Sequence, residues 1–344
     1  MNIVEKMALV LFLFLSFSFS LVNAQPDSAQ QYADFAECPL DSGELIKPCK
    51  IGYRTFGTLN ADKSNVVLVP TWFTGNSAGH GYLASPAYID PEIYFIVIVD
   101  ALANGVSSSP SNSISQSNDR FPQITIADMV QSQHRLLSEV FAIDSVHAVV
   151  GLSMGGMQAL EWAVAYPGFA DKTIAAIASP RLPSYDIAVW TTKNNLLELY
   201  RNCQCEVALN TMAGVSMLSN EPNKLSQDVD RNKAISTIRS RGESYKMTPG
   251  ESWDMQRQAE AMIGHNIARN FDDDMRKVSS KTKTDFLIIV GDDDRIVTPQ
   301  PARDFATLVD ATLLELDEDC GHGDPWCAPD AFSQAVKLFL SAKN

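Results

Sequence analysis

Hydrophobic positions along the chain fall into short unbroken runs separated by stretches with helical spacing. NVVLVP at 65–70, YFIVIVD at 94–100, SVHAVVG at 145–151, DKTIAAIASP at 171–180, TDFLIIVGDDD at 284–294 and ATLLELDED at 311–319 are such runs. A strand with one wet face would alternate polar and apolar residues, so runs this apolar read as strands covered on both faces. ITIADMVQSQHRLLSEVF at 124–141 instead places Ile126, Met129, Val130, His134 and Leu137 on one helical face, with Asp128 near the positive helix end. Strand, helix, strand with continuous apolar strands predicts an α/β fold around a mostly parallel sheet with helices on both faces.

The pattern changes at both ends of this core. Gln25 to Leu40 is polar with little periodicity and reads as a loose arm, and ELIKPCKIGYRTFGTLN at 44–60 predicts a hairpin. The Ser, Asn and Pro-rich stretch at 103–122 reads as a long irregular loop, because strong core elements flank it closely. From Arg181 to Lys283 no strand is visible. TTKNNLLELYR, CEVALNTMAGVSML, NKAISTIRS and SWDMQRQAEAMIGHNIARNF are the helices expected there. Residues 25–180 and 284–344 therefore form the core, and 181–283 a helical insertion after the sixth strand, lying over one end of the sheet. PDAFSQAVKLFLSAK closes the chain as a helix opened by Pro329.

Residues 1–24 read as a cleaved export signal, with Lys6, the apolar run MALVLFLFLSFSFSLV and small residues before a cut after Ala24. That run is shorter than the roughly 20 residues a membrane helix needs, so a soluble protein, secreted or periplasmic, is expected after cleavage. A formal net charge of −14 argues against nucleic acid or an anionic membrane surface as partner, because phosphate binding draws on clustered Lys and Arg. All six cysteines, Cys38, Cys49, Cys203, Cys205, Cys320 and Cys327, lie beyond the signal and are disulfide candidates. Sequence proximity offers 38 with 49, 203 with 205 and 320 with 327, the second being the least secure because its ring is small. Their spacing does not suit zinc, so no metal is expected.

The chemistry centres on VVGLSMGGMQALEWAVAYP at 149–167, where Gly151, Ser153 and Gly155 make GxSxG between a strand and a helix. In so tight a turn a side chain on either neighbour would strike adjacent backbone, and the bend lifts the serine hydroxyl toward a ligand. A serine nucleophile needs a base that an acid orients, and in this architecture both follow at the ends of later strands. His322, in a glycine-flanked loop after a late strand, is the base, with His265 as rival. His134 and His147 read as structural, whereas His80 and His265 are placed where either could touch substrate. Of three consecutive candidates for the acid, Asp294 is favoured because it stands three residues beyond Gly291, with Asp292 and Asp293 as rivals that otherwise read as solvated loop carboxylates. The oxyanion hole requires two backbone amides: Met154 directly after the serine, and Phe73 from PTWFTGNS, with Trp72 as its rival.

These motifs, together with YRTFGTLNADKSNVVLV, FTGNS and above all SMGGMQALEW, resemble the homoserine O-acetyltransferase family of α/β-hydrolases. The resemblance implies an α/β-hydrolase fold, an acyl-enzyme on Ser153 completed by Asp294 and His322, oxyanion amides from Phe73 and Met154, and a helical lid forming a tunnel to the serine. It also allows a homodimer. Family members move acetyl or succinyl from coenzyme A to the hydroxyl of an amino acid. This chain departs from them where PTWFTG replaces HALTG and where GHGDPWC, bracketed by Cys320 and Cys327, replaces GHDAF. Trp72, Arg181 and Arg257 are candidate substrate contacts, the two arginines equally suited to salt bridges within the lid.

An acyl-enzyme has two fates, attack by water or by an alcohol. Coenzyme A thioesters are intracellular, so an exported enzyme is expected to hydrolyse a small ester or related acyl compound without a cofactor. Acetyl transfer from acetyl-CoA to an amino-acid hydroxyl is the alternative, and a non-catalytic binding protein on the same scaffold the second. The expected partner is a small-molecule acyl substrate.

Overall fold

Parallel strands buried on both faces set the architecture. The computed structural model describes residues 28–342, and the expected export signal over residues 1–24 lies outside the described residues. Its strands are β1 (Gln31–Phe35), β2 (Cys38–Pro39), β3 (Leu45–Ile46), β4 (Cys49–Phe56), β5 (Val66–Pro70), β6 (Phe95–Val99), β7 (Val146–Leu152), β8 (Ala170–Ala176), β9 (Asp285–Gly291) and β10 (Thr312–Leu316). Eight of them form one sheet in the order β1-β4-β6-β5-β7-β8-β9-β10, parallel from β6 to β10 and antiparallel where β4 meets β1 and β6. The unbroken apolar runs have a direct cause. β5 sends Val66 and Leu68 into one core and Val67 and Val69 into the other, and β6 divides Val97 and Val99 from Ile96 and Ile98 in the same way.

Helices cover both faces. α1 (Ile126–Arg135) and α2 (Met154–Ala165) pack on one face, where Met129 and Trp162 are buried. α1 opens on a capping box, with Thr125 and Asp128 each accepting the other's backbone N–H, and runs on into a π-helical turn, Leu136–Val140. Between β8 and β9 lie α3 (Ser184–Cys203), α4 (Glu206–Leu218), α5 (Pro222–Asp228), α6 (Ala234–Ser244), α7 (Pro249–Ile263) and α8 (Met275–Ser279). Within this block α3 packs on α7 and α4, and α4 on α6. α9 (Gln300–Leu308), α10 (Asp324–Cys327) and α11 (Pro329–Ser341) complete the chain. α11 seats Phe332, Val336 and Leu340 in the second core. α7 stops at Gly264, short of the helix expected to run on to Phe271.

Two expectations at the N-terminal side are corrected. The segment read as a loose arm contains β1, the sheet's edge strand, in which Ala33 alone is fully buried and Phe35 packs partly buried against the same core. One fully buried residue is too thin a periodicity to see in sequence; backbone pairing with β4 holds the strand. The stretch read as one hairpin divides instead. β3 turns back to pair with β2, and β4 fills the space between β1 and β6 because its backbone, buried through Cys49, Ile51 and Gly52, requires partners on both edges. The 103–122 loop is closely held. Ser107 Oγ accepts the Gly52 amide at 2.9 Å and donates to the Asp100 carbonyl at 2.6 Å.

Disulfides join Cys38 to Cys49, Cys203 to Cys205 and Cys320 to Cys327. The first ties β2 to β4 across a separation of 11 residues, which restricts the unfolded chain. Replacing both Cys38 and Cys49 with alanine should lower the unfolding free energy by about 3 kcal/mol in a urea titration. A midpoint indistinguishable from that of the parent would show that the bridge contributes nothing to this edge.

Candidate active site

Gly151, Gly155 and Gly156 make the turn after β7 possible. A Cβ on Gly151 would run into the Gly155 carbonyl, one on Gly155 would stand 2.5 Å from the Pro70 carbonyl oxygen, and one on Gly156 would meet Ala178. The strand and helix therefore close tightly, and Ser153 is left at φ 55°, a left-handed conformation that a residue with a Cβ adopts only at a cost. Its amide donates to the Ala176 carbonyl of β8 at 2.9 Å, which fixes the bend to the sheet. α2 starts at Met154, so its first amides point at the space in front of the serine hydroxyl.

The loops after β9 and β10 deliver the other two side chains. His322 Nε2 lies 2.9 Å from Ser153 Oγ, and His322 Nδ1 lies 2.6 Å from Asp294 Oδ2. Asp294 is buried, and its second oxygen accepts the amides of Ile296 at 2.8 Å and Val297 at 3.0 Å. Both carboxylate oxygens are thus committed, one to backbone and one to the imidazole. That pairing orients His322 with its Nδ1 proton toward the acid and Nε2 toward the serine.

The neighbouring carboxylates have jobs of their own and are not merely solvated, as sequence suggested. Asp292 pairs with Arg303, and Asp293 accepts the Gly321 amide at 3.0 Å, tying the β9 loop to the loop that carries His322. Asp324 accepts the Cys320 amide at 3.0 Å within the ring closed by the Cys320–Cys327 disulfide. Asp186, near the start of α3, accepts the Thr298 amide at 2.9 Å; burial pushes its carboxyl up to about 6, with the nearby Asp294 adding to the rise. Neither Asp186 nor Asp324 was singled out from sequence, because each acts only through a backbone that the fold brings to it.

The loop after β5 is pinned from four sides. Gln158 of α2 donates to the Thr71 carbonyl at 3.0 Å, Gln258 of α7 accepts the Thr74 amide at 2.7 Å, and Asp100 accepts the Ser77 amide at 2.7 Å. His80 supplies the fourth point. Its Nδ1 donates to the Asn76 carbonyl at 2.9 Å, which makes Nε2 the acceptor for the Trp72 amide at 3.1 Å. Burial holds this imidazole neutral, with its pKa pushed down to about 4. The amides of Trp72 and Thr74 are therefore occupied, and the Phe73 amide between them is left for another acceptor. Gln158 is itself held by Gln133, which Trp162 holds in turn, at 2.6 and 2.8 Å. Sequence analysis missed Gln133, Gln158 and Gln258. Their signal is a glutamine within an otherwise core-facing helical stripe.

Ser153 and His322 open into a cavity of about 370 Å³. Trp72, Phe73, Trp190, Tyr245 and Trp326 form most of its aromatic wall, and Met212, Met255 and Leu197 its aliphatic part. Trp190 is fixed by its indole N–H to the Ile296 carbonyl at 3.1 Å, and Trp326 by Tyr82 at 3.2 Å. Trp72 lines the cavity. The two arginines do not. Arg181 is exposed and lines a separate groove beside α9, while Arg257 is buried against Glu260 at 2.9 Å and the Phe121 carbonyl at 3.1 Å. The rival base, His265, is buried away from the cavity and kept neutral, its pKa pushed down to about 3. Among the described residues no group of His, Cys, Asp and Glu could hold a metal, and no helix is long and apolar enough to cross a membrane.

Comparison with known proteins agrees with this geometry. The α/β hydrolase fold family matches residues 65–329. An ethyl acetate hydrolase of Pseudomonas veronii is 41% identical over 49% of this chain and 46% of its own length, so the match spans about half of that relative. A homoserine O-acetyltransferase of Methanosalsum zhilinae is 30% identical over 83% of this chain and 67% of its own length. Among solved structures, the acetyl esterase MekB superposes with a TM-score of 0.83 at 24% identity, covering 92% of this chain and 98% of that one. With a serine, a histidine and an aspartate meeting at the ends of three parallel strands, the chain belongs to the α/β-hydrolase fold family, in its homoserine O-acetyltransferase-like group.

Proposed function

We propose that the protein is an exported esterase that hydrolyses a small acyl ester through an acyl-enzyme on Ser153. The observation that carries this reading is the hydrogen-bonded line from Asp294 through His322 to Ser153 at the floor of an apolar cavity. Ser153 Oγ attacks the ester carbonyl while its proton passes to His322 Nε2. The negative charge that develops on the carbonyl oxygen is received by the amides of Phe73 and Met154, the first isolated by its occupied neighbours and the second at a helix start. Collapse expels the alcohol, which takes the proton from His322. Water then attacks the acyl group, gives its proton to His322, and the carboxylic acid leaves as Ser153 recovers its hydrogen. Asp294 stays ionised and steadies the imidazolium at each stage. No cofactor enters this sequence.

The ester reading is supported by the small aromatic cavity and by similarity to proteins named as an ethyl acetate hydrolase and an acetyl esterase. Three disulfides support a life in an oxidising compartment. Acetyl transfer from acetyl-CoA to an amino-acid hydroxyl is the second reading, favoured by the longer match to the Methanosalsum zhilinae acetyltransferase.

With p-nitrophenyl acetate as substrate, Ser153→Ala should lose on the order of 10⁶ in kcat. Turnover that survives this change would place the chemistry elsewhere. His80→Phe removes the acceptor for the Trp72 amide and frees the loop that presents Phe73; kcat should drop about tenfold or more, with KM less affected. Finally, incubation with acetyl-CoA should release free thiol no faster when homoserine is added. Homoserine-dependent release would replace hydrolysis by transfer as the reading.

A further inference from the structure

One side chain in the cavity is unlike the rest. Lys193, on α3, lines the same space as Ser153 and His322, and no Asp or Glu lines it. Its ammonium lies 4.8 Å from the centroid of the Trp190 ring, and among the described residues no carboxylate pairs with it. Three other cations of the helical insertion have polar partners: Arg257 has Glu260, Lys224 has Asp228, and Arg201 has Gln256 and the Ser252 carbonyl. An ammonium set among aromatic and aliphatic walls gives up part of its hydration, and one ring face returns only part of that loss. A methionine or leucine would complete the wall without this cost.

We propose that Lys193 is the specificity-determining residue of the cavity, its ammonium receiving a carboxylate carried by the ester substrate. The proposal rests on the esterase reading and names its substrate class: esters that bear one negative charge besides the reacting group. Burial pushes the Lys193 ammonium down to about 8, which leaves the charged form dominant at neutral pH. The overall charge of −14 does not reverse the preference, because charges farther off than about 8 Å are largely screened at physiological salt. Inside the cavity the lysine and a bound carboxylate would face each other across little water, where their attraction is stronger.

Matched pairs of substrates test this with the full protein. Methyl hydrogen glutarate against its neutral amide, methyl glutaramate, places the charge on the acyl side; acetoxyacetate against acetoxyacetamide places it on the alcohol side. Hydrolysis at pH 7 is followed in a pH-stat for the parent, Lys193→Met and Lys193→Arg. In Lys193→Met the anionic-to-neutral ratio of kcat/KM should fall tenfold or more in one pair, mainly through KM, and Lys193→Arg should retain most of it. The pair that responds identifies the side on which the charge sits. A ratio that stays constant across all three proteins in both pairs overturns the proposal and leaves the lysine stem as cover for Trp190. The same compounds are also used to protect Ser153 from a fluorophosphonate, whose labelling rate additionally reports a correctly folded site. If the parent cleaves none of these esters, the esterase reading stands or falls on p-nitrophenyl acetate, and the protection arm decides the lysine's role. Protection by the anionic members that is lost in Lys193→Met would then still support the lysine's role, and equal protection would overturn it.

Discussion

The backbone of Ser153, held at a positive φ between β7 and α2, is the constraint on which the rest of the site depends. The conformation is unfavourable for a residue with a Cβ, and it persists because the surroundings leave no alternative. The Ala176 carbonyl holds the serine amide, and glycines on both sides let Pro70 and Ala178 approach. Relaxing the turn would require β7 to separate from β5 or β8. In that way the parallel sheet, whose strands are buried on two faces, holds a local strain in place. The hydroxyl is thereby presented at one point relative to the ends of β9 and β10.

The partners of the serine reach that point on loops, yet each loop is tied as firmly as an element of regular structure. Asp294 is held by two amides, Asp293 secures the Gly321 amide beside His322, and the Cys320–Cys327 disulfide closes the ring around the histidine. The loop after β5 is fixed by Gln158, Gln258, Asp100 and His80. Gln258 belongs to α7, so the helical insertion contributes to the loop that presents Phe73. The insertion also lines the cavity, through Trp190, Met212 and Met255. A displacement of α7 would loosen the Thr74 amide and with it the direction of the neighbouring one.

Much of the core was legible in the sequence, because short apolar runs and a GxSxG turn follow from local rules: a strand buried on two faces cannot alternate, and a tight strand-to-helix turn cannot carry side chains beside it. Ser153, Asp294 and His322 could be named for the same reason, each lying just beyond a recognisable strand. What failed to register was thin or non-local. β1 fully buries a single alanine, and the hairpin expected at 44–60 could not reveal that β4 would find partners on both edges.

Sequence alone therefore determined the buried core strands, the helices between them and which side chains would carry reactive groups, since periodicity, glycine sterics and residue chemistry act over a few positions. Only the tertiary structure decided which groups meet. It gave Arg257 to Glu260 and left Arg181 outside the cavity, it occupied the Trp72 amide and left that of Phe73, and it set Lys193 among aromatic walls with no carboxylate partner among the described residues. Those outcomes rest on contacts between residues far apart in the chain, where burial and hydrogen-bond geometry, and not local preference, settle the partner.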